Sequence, residues 1–295
     1  MVTLREVNVL DIQHILNSDV STRTVVESMI REDATIAAGE LYDVANILGM
    51  SDQQVRLCVK RLVAEGRFTQ EGRGRKAILH ATGATRSTLE PDLEFVRYMY
   101  QQDRGLAPWD DRWHLVAFAV PESARPARDA MREAIVRLGG ASIQGGLYVC
   151  ANPWESRIDV AAHQFGVSEH VTTFTTTDLA LGGQSGAREL AQRLWPIDTI
   201  AERHRGLLAV ADGILRALRG ASRTELLTLA IALAAEFTQA VEFDPLLPPQ
   251  LLPQPWAGAA ARAAVAACWA ELAKTEADQP IRLFRWYSDA IRQII

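Results

Sequence analysis

The chain has 295 residues, of which 48% are hydrophobic and 23% charged, and its formal net charge is -5. This composition is ordinary for a globular protein, and the length allows two or three domains with their own cores. No apolar run approaches the roughly 20 residues of a membrane-spanning helix, and no secretion signal is expected. Cys58, Cys150 and Cys268 lie far apart without metal-ligand spacing, so a cytoplasmic protein without a metal is predicted.

The distribution of charge is more informative than the total. Residues 51–80 contain seven arginines and lysines against three aspartates and glutamates, a net charge of +4. The other 265 residues must then carry -9 to give the total of -5. A local positive field attracts a phosphate backbone whatever the total charge is, so nucleic acid remains a possible partner.

The same part of the chain predicts a helix-turn-helix. A first helical pattern covers residues 40–48, and Ser51 followed by Gln54 has the form of a capping box that begins a second helix. Gly66 ends the second helix. At helical spacing its inward face is predicted to consist of Val55, Cys58, Val59 and Leu62.

A basic hairpin is predicted directly after this helix. Strand-like segments over 67–70 and 77–79 flank a glycine-rich turn that carries Arg73, Arg75 and Lys76. Three like charges on one turn repel each other unless an anion binds, which favours contact with phosphate or the minor groove. Helix, turn, helix and hairpin together predict a winged helix-turn-helix, whose second helix fits a DNA major groove.

The predicted DNA contacts are of two kinds. Arginine binds guanine with two hydrogen bonds and glutamine binds adenine in the same way, so such residues in the first turns are predicted to read bases. Basic residues later in the helix are predicted to contact phosphate; the alternative is an ordinary solvent-exposed helix face. The predicted DNA-binding residues are Ser51, Gln53, Gln54, Arg56, Lys60, Arg61, Arg73, Arg75 and Lys76.

A different pattern follows, and the predicted fold class is α+β. Residues 113–177 show the order β-α-β-β-α-β, which gives a ferredoxin-like sheet. From residue 187 the pattern is helical, apart from a proline-rich segment at 244–256 that is predicted to be an extended strap. The predicted domains are a winged helix-turn-helix at 1–88, a linker helix at 89–108, a ferredoxin-like domain at 109–180 and a helical C-terminal domain at 181–295. A short amphipathic helix is also predicted within residues 1–17.

Three segments of the chain share features with one family. They are LGMSDQQVRLCVKRLVAEG with its GRGRK turn, WDDRWHLVAFAVPESARPARDAMREAIVRLGGASIQGGLYVCANP, and LAQRLWPIDTIAERHRGLL with the strap DPLLPPQLLPQPWAGAAAR. Over about residues 20–275 the chain resembles the PaaX-type repressors of phenylacetic acid catabolism. The resemblance implies a cytoplasmic, homodimeric repressor that leaves its double-stranded operator when it binds an aryl- or acyl-CoA thioester such as phenylacetyl-CoA.

The chain departs from what this resemblance implies at one position. Arg31-Glu32-Asp33 stands where the family shows a Gly-Asp-Tyr-like turn, so the operator or the effector is expected to differ. The family's middle domain also resembles a CRISPR-associated endonuclease that needs an acidic residue where its first strand ends. Ala119-Val120-Pro121 occupies that place here, so no nuclease activity is expected.

A candidate effector site consists of Trp109 and Trp113, whose rings could stack on an aryl group or adenine, and of Arg188 and Arg203, which could meet CoA phosphates. The alternative is that the tryptophans serve the core and the arginines a solvated face. No phosphate-binding loop, dinucleotide fingerprint or nucleophile elbow is present, so no cofactor and no enzyme are predicted. Two rival functions remain, an enzyme that uses the ferredoxin-like domain on nucleic acid or thioesters, and a scaffold whose winged helix binds protein.

Overall fold

A computed structural model of the chain describes residues 20–83, 85, 93–274, 281, 282 and 287. Within these residues the fold is α+β, with two small antiparallel sheets and many helices. The predicted helix within 1–17, the start of the predicted linker helix and most of the helical pattern after residue 274 lie outside them. Two compact units are present, one of Met1–Tyr100, His204–Gln239 and Gly258–Ile295, the other of Gln101–Arg203 and Ala240–Ala257. The four predicted domain ranges stay predictions.

The first unit begins with three helices packed around a small sheet. The strands pair in the order β1-β3-β2, and every pair is antiparallel. The elements are α1 (Thr22–Ser28), β1 (Thr35–Ala37), α2 (Ala38–Ile47), α3 (Asp52–Ala64), β2 (Phe68–Glu71) and β3 (Ile78–Ala81). The side chains that fill the core between them are almost fully buried: Val25, Val26, Met29, Ile36, Leu41, Val55, Leu62, Phe68 and Leu79. Sheet and helices therefore share one core, which fixes the rotation of each helix about its axis.

The turn between α1 and β1 holds the residues that depart from the family pattern. Asp33 Oδ1 accepts hydrogen bonds from the Thr35 amide and hydroxyl, at 2.9 and 2.7 Å. These hydrogen bonds, the one from the hydroxyl above all, hold the pKa of the Asp33 carboxyl below its usual value. Ala34 takes a positive φ of 67°, so the turn is tight and specific to this segment.

Two further helices of the first unit come from late in the chain. α9 (Arg223–Val241) is long and apolar enough to cross a membrane by length and composition, but 67% of its most apolar window is buried inside the protein, as in a core helix. α10 (Ala257–Lys274) buries Trp269, whose ring stacks on Tyr287 with centroids 4.7 Å apart.

The second unit contains a four-stranded antiparallel sheet that packs against helices. The strands pair in the order β5-β6-β4-β7, so the first strand in sequence lies between the third and the fourth. The elements are α4 (Leu93–Asp103, which enters this unit at its end), β4 (Trp113–Phe118), α5 (Arg125–Arg137), β5 (Ala141–Gln144), β6 (Leu147–Cys150), α6 (Glu155–Gln164), β7 (Val171–Thr176), α7 (Ala187–Leu194) and the start of α8 (Ile197–Ala217), which belongs to the first unit from His204 onward. A core of buried side chains joins the sheet to α5 and α6: Val116, Phe118, Met131, Ile135, Tyr148, Cys150, Trp154 and Ile158.

The proline-rich strap is largely free of helix, as its composition predicts. Only Pro249–Leu251 forms a 3-10 turn. Its apolar side chains are buried, Leu247 and Leu251 with 3% and 2% exposure. Gln102 and Asn152 each donate a hydrogen bond to the Leu246 carbonyl at 2.8 Å. These side chains therefore satisfy a backbone carbonyl of the strap that lies outside any helix or sheet.

Gly140, at the end of α5, lies where a side chain has no room. A Cβ there would come within 2.7 Å of both Ile135 Cγ2 and Trp154 Cζ3. We expect Gly140→Ala to lower the free energy of unfolding by about 1–3 kcal/mol, because the core must shift to accept one methyl group. Urea unfolding followed by tryptophan fluorescence measures the change.

Gly145 provides the matched control, because a Cβ on it meets no atom within 4 Å. Gly145→Ala should leave the unfolding free energy within about 0.5 kcal/mol of the unmodified chain. Equal losses in the two variants would contradict this account of the α5–α6 core.

Candidate nucleic-acid interface

The predicted capping box is present at the start of α3. Ser51 Oγ accepts a hydrogen bond from the Gln54 amide at 3.3 Å, and Gln54 Oε1 accepts one from the Ser51 amide at 2.8 Å. Two backbone amides that would otherwise lack partners are satisfied in this way. The box therefore fixes the residue at which α3 begins.

Burial sets which face of α3 meets solvent. Val55 and Leu62 are fully buried, while Cys58 and Val59 are half-buried at the edge of the core. The opposite face presents the polar and basic side chains Gln53, Gln54, Arg56, Lys60 and Arg61, all of which are exposed. Among the described residues, none forms an ion pair or hydrogen bond with the side chain of Arg56, Lys60 or Arg61.

Gln54 has a structural role that limits it as a base reader. Its Oε1 also accepts from the Ser51 hydroxyl, at 2.9 Å, so the carbonyl end of the amide points back to the cap. Binding adenine through two hydrogen bonds needs both ends of a glutamine amide. Gln53 has no such bond to a described residue and keeps both ends available.

The basic hairpin forms with a 3-10 turn at its tip. β2 and β3 flank Gly74–Lys76, and Gly72 and Gly74 take positive φ values of 78° and 61°. These left-handed conformations suit glycine, which has no Cβ to clash. Arg73 and Lys76 are exposed, and no described residue pairs with either.

Arg75 differs from its neighbours, because its charge has partners. Its guanidinium makes an ion pair with Asp43 of α2, donates to the Gly39 carbonyl at 3.3 Å and lies over the Tyr42 ring, 5.5 Å from the centroid. The sequence gives no local sign of this pair, because α2 brings Asp43 to the turn from 32 positions earlier. Both side chains of the pair remain about half exposed, so the pair is weak and solvent-screened.

A groove of about 360 Å³ lies between α3, α2 and the hairpin. Apolar side chains, among them Leu41, Val59 and Val63, form much of its wall. Arg56, Lys60 and Arg73 also line it, so the helix and the hairpin bring to one place three cations that pair with no described residue. Two further residues went unnoticed in the sequence: Tyr42, which also lines the groove, and Leu57, whose side chain is 57% exposed on α3.

The effector candidates have structural contacts within the second unit. Trp113 is buried, meets Trp109 edge-on at 5.5 Å and stacks on Trp195 at 6.3 Å. Arg188 donates to the Gln250 carbonyl of the strap at 2.8 Å, and the Arg203 guanidinium lies 5.4 Å from the Phe243 ring centre. Among the described residues, no hydrogen bond, ion pair or ring contact joins either arginine to Trp109 or Trp113. The effector site stays a prediction.

The titratable groups of the described residues form no cluster suited to a metal ion. His114 lies buried between two carboxylates, with Nδ1 2.6 Å from Glu155 Oε1 and Nε2 3.1 Å from Asp110 Oδ2. Burial raises the pKa of the Cys150 and Cys268 thiols to about 12, and it also raises the pKa of Cys58. The buried thiols of Cys150 and Cys268 are therefore protonated and inert, as core cysteines are.

Two family descriptions match consecutive parts of the chain. The "PaaX protein central Cas2-like domain" matches residues 106–191, and the "PaaX-like protein C-terminal domain" matches residues 195–280. Each match spans 86 residues, so together they cover 172 of 295. The chain belongs to the PaaX family. Neither match includes the residues of the predicted DNA contacts.

A solved structure supports the fold over most of the length. "Uncharacterized protein Rv0674 from Mycobacterium tuberculosis" superposes with a TM-score of 0.53 at 21% sequence identity, over 87% of this chain and 97% of that one. At this identity the likeness concerns the fold alone. No curated protein matches the chain.

The capping box leads to a prediction for stability. Ser51→Ala removes the acceptor for the Gln54 amide, so we expect the free energy of unfolding to fall by about 1 kcal/mol. Denaturation followed by far-UV circular dichroism measures it. Ser156→Ala, at an exposed helical position in the first turn of α6, is the control and should change stability by less than about 0.5 kcal/mol. If the two variants lose the same stability, Ser51 does not act as a cap.

Proposed function

We propose that this PaaX-family chain is a cytoplasmic transcriptional repressor that binds a double-stranded DNA operator as a homodimer. The observation that carries the proposal is the convergence of Arg56, Lys60 and Arg73 on one groove, with no carboxylate partner among the described residues. An anion stabilises like positive charges that are held together without counterions, and the phosphate backbone of DNA is a chain of such anions. Family membership supports the same reading.

The arrangement of α1, α2, α3 and the hairpin supports a winged helix-turn-helix at the N-terminus. In this proposal α3 is the recognition helix and enters the major groove with Gln53 and Arg56 toward base edges. Lys60, Arg61, Arg73 and Lys76 then contact phosphates, which fix the register of the protein on the duplex. A twofold dimer would place its half-sites one helical turn apart, or a multiple of it.

The second unit is proposed to serve regulation rather than catalysis. Its strand order and alternation of strands and helices support a ferredoxin-like domain. At the end of β4, where the related nuclease carries an acidic residue, the chain has Ala119, Val120 and Pro121. We infer that this domain and the helical segments after it bind an effector, an aryl- or acyl-CoA thioester. The genes under control would then form a phenylacetate-type catabolic operon.

Salt dependence tests the DNA contacts. For each phosphate that the protein no longer neutralises, the slope of log affinity against log salt becomes shallower by about 0.9. We expect Arg73→Ala to reduce the slope by about 0.9 per bound protomer, and Arg75→Ala to reduce it by less than half as much, because Asp43 already offsets the charge of Arg75. Fluorescence anisotropy with an operator duplex over a salt series measures both.

Arg125→Ala is the control, since Arg125 lies exposed on α5 in the second unit and should leave the slope unchanged. A steep loss of affinity with salt that none of the hairpin variants alters would place the DNA elsewhere on the protein. Affinity that does not depend on salt would instead favour a wing that binds protein.

Effector release is a separate prediction. A ligand shifts a two-state regulator only by its different affinity for the two states. We expect phenylacetyl-CoA to weaken operator binding at least about tenfold, which corresponds to about 1.4 kcal/mol of coupling. Gel shifts with the thioester, and with free CoA as control, measure this. Unchanged operator affinity at saturating thioester would reject that ligand and leave DNA binding as a separate result.

A further inference from the structure

Leu57 is an apolar side chain in the middle of the polar face of α3. It is 57% exposed, whereas Val55 and Leu62 on the opposite face are at most 1% exposed. On a helix, residues three and four positions away are the direct neighbours on the surface. Those neighbours are Gln53, Gln54, Lys60 and Arg61, and each of them is exposed.

Single exposed apolar residues are common on protein surfaces, so exposure alone assigns no role. The position of Leu57 is what distinguishes it, because it lies among the side chains of the proposed recognition surface. The core of the first unit does not need it, since Val55 and Leu62 already fill the space beneath α3. A charged or amide side chain at this place would serve phosphate or base contacts and would keep the face polar.

We propose that Leu57 reads thymine, through contact with the 5-methyl group in the major groove. Among the base edges exposed there, that methyl is the apolar group, and apolar side chains are its usual partners. This inference rests on the proposed function and adds one part to it. Gln53, Arg56 and Leu57 form the base-reading set, while Gln54 holds the start of the helix.

Uracil tests this contact directly, because it differs from thymine only by the missing methyl group and keeps the same hydrogen-bonding groups. The full-length chain first selects its preferred duplex from a random-sequence pool. Each thymine of that duplex is then replaced by uracil, one position at a time. Fluorescence anisotropy gives the affinity of each duplex for the unmodified chain and for Leu57→Ala.

Removing one buried methyl group from the interface weakens binding about fourfold. We expect one thymine of each half-site to show this effect with the unmodified chain and none with Leu57→Ala. The variant should bind the thymine duplex about as strongly as the unmodified chain binds the uracil duplex. Val160→Ala, at a similarly exposed apolar position on α6, is the control and should behave like the unmodified chain.

The outcomes separate this inference from the proposed function. If a duplex is selected but no uracil replacement weakens the unmodified chain, or every replacement weakens both proteins equally, Leu57 does not read thymine and DNA binding stands. If the pool yields no bound duplex at any salt concentration, the proposed function fails and the inference fails with it. Leu57→Ala should keep its far-UV circular dichroism spectrum, which shows that the variant is folded.

Discussion

The rotation of α3 about its own axis is the constraint on which the proposed interface depends. Val55 and Leu62 must lie in the core, and the Ser51–Gln54 capping box fixes where the helix begins. Once those two conditions hold, the polar side chains of α3 have one direction left, toward solvent. The hairpin packs beside the same helix, so Arg73 meets Arg56 and Lys60 around one groove. The concentration of positive charge is thus a consequence of packing rather than of composition, since the chain as a whole is acidic.

The three cations of the hairpin differ in whether their charge already has a partner among the described residues. Arg75 lies over Tyr42 and pairs with Asp43, so part of its charge is already offset by a neighbour on α2. Arg73 and Lys76 have no such partner among the described residues and remain available to an anion. Within the basic turn, Arg73 and Lys76 are therefore the cations that a bound phosphate would neutralise most fully.

The first unit also joins α2 to a helix from late in the chain. Glu40, in the first turn of α2, accepts hydrogen bonds from Arg31 at 2.8 Å and from Arg223 of α9 at 2.9 Å. Glu40 is mostly buried, so the pair is better shielded from solvent than those at the surface. The Arg223 side chain is about half exposed, so this contact links α9 to α2 at the edge of the unit. Under the proposed function, this is a place where a change in the helical region would be felt by the helices that hold α3.

Local signals in the sequence predicted much of the fold. The capping box of α3 and the glycine-rich turn of the basic hairpin lie where cap residues and glycines predict them, because each depends on neighbours in the chain. Contacts between residues far apart in the chain could not be predicted from local patterns. The Arg75–Asp43 pair spans 32 positions and the Arg188–Gln250 bond spans 62, and no local pattern encodes either. The position of Leu57 in the sequence could have predicted its exposure, since it does not share the helical spacing of the buried residues of α3. Its exposure in the folded chain is what draws attention to that position.

A crystal structure of the full-length chain with the duplex it selects tests the central claim most directly. We expect the N-terminal half of α3 to lie in the major groove, with Arg56 at a base edge and Arg73 on the phosphate backbone. A duplex bound to another surface, or a polar face of α3 covered by protein in the complex, would contradict the claim.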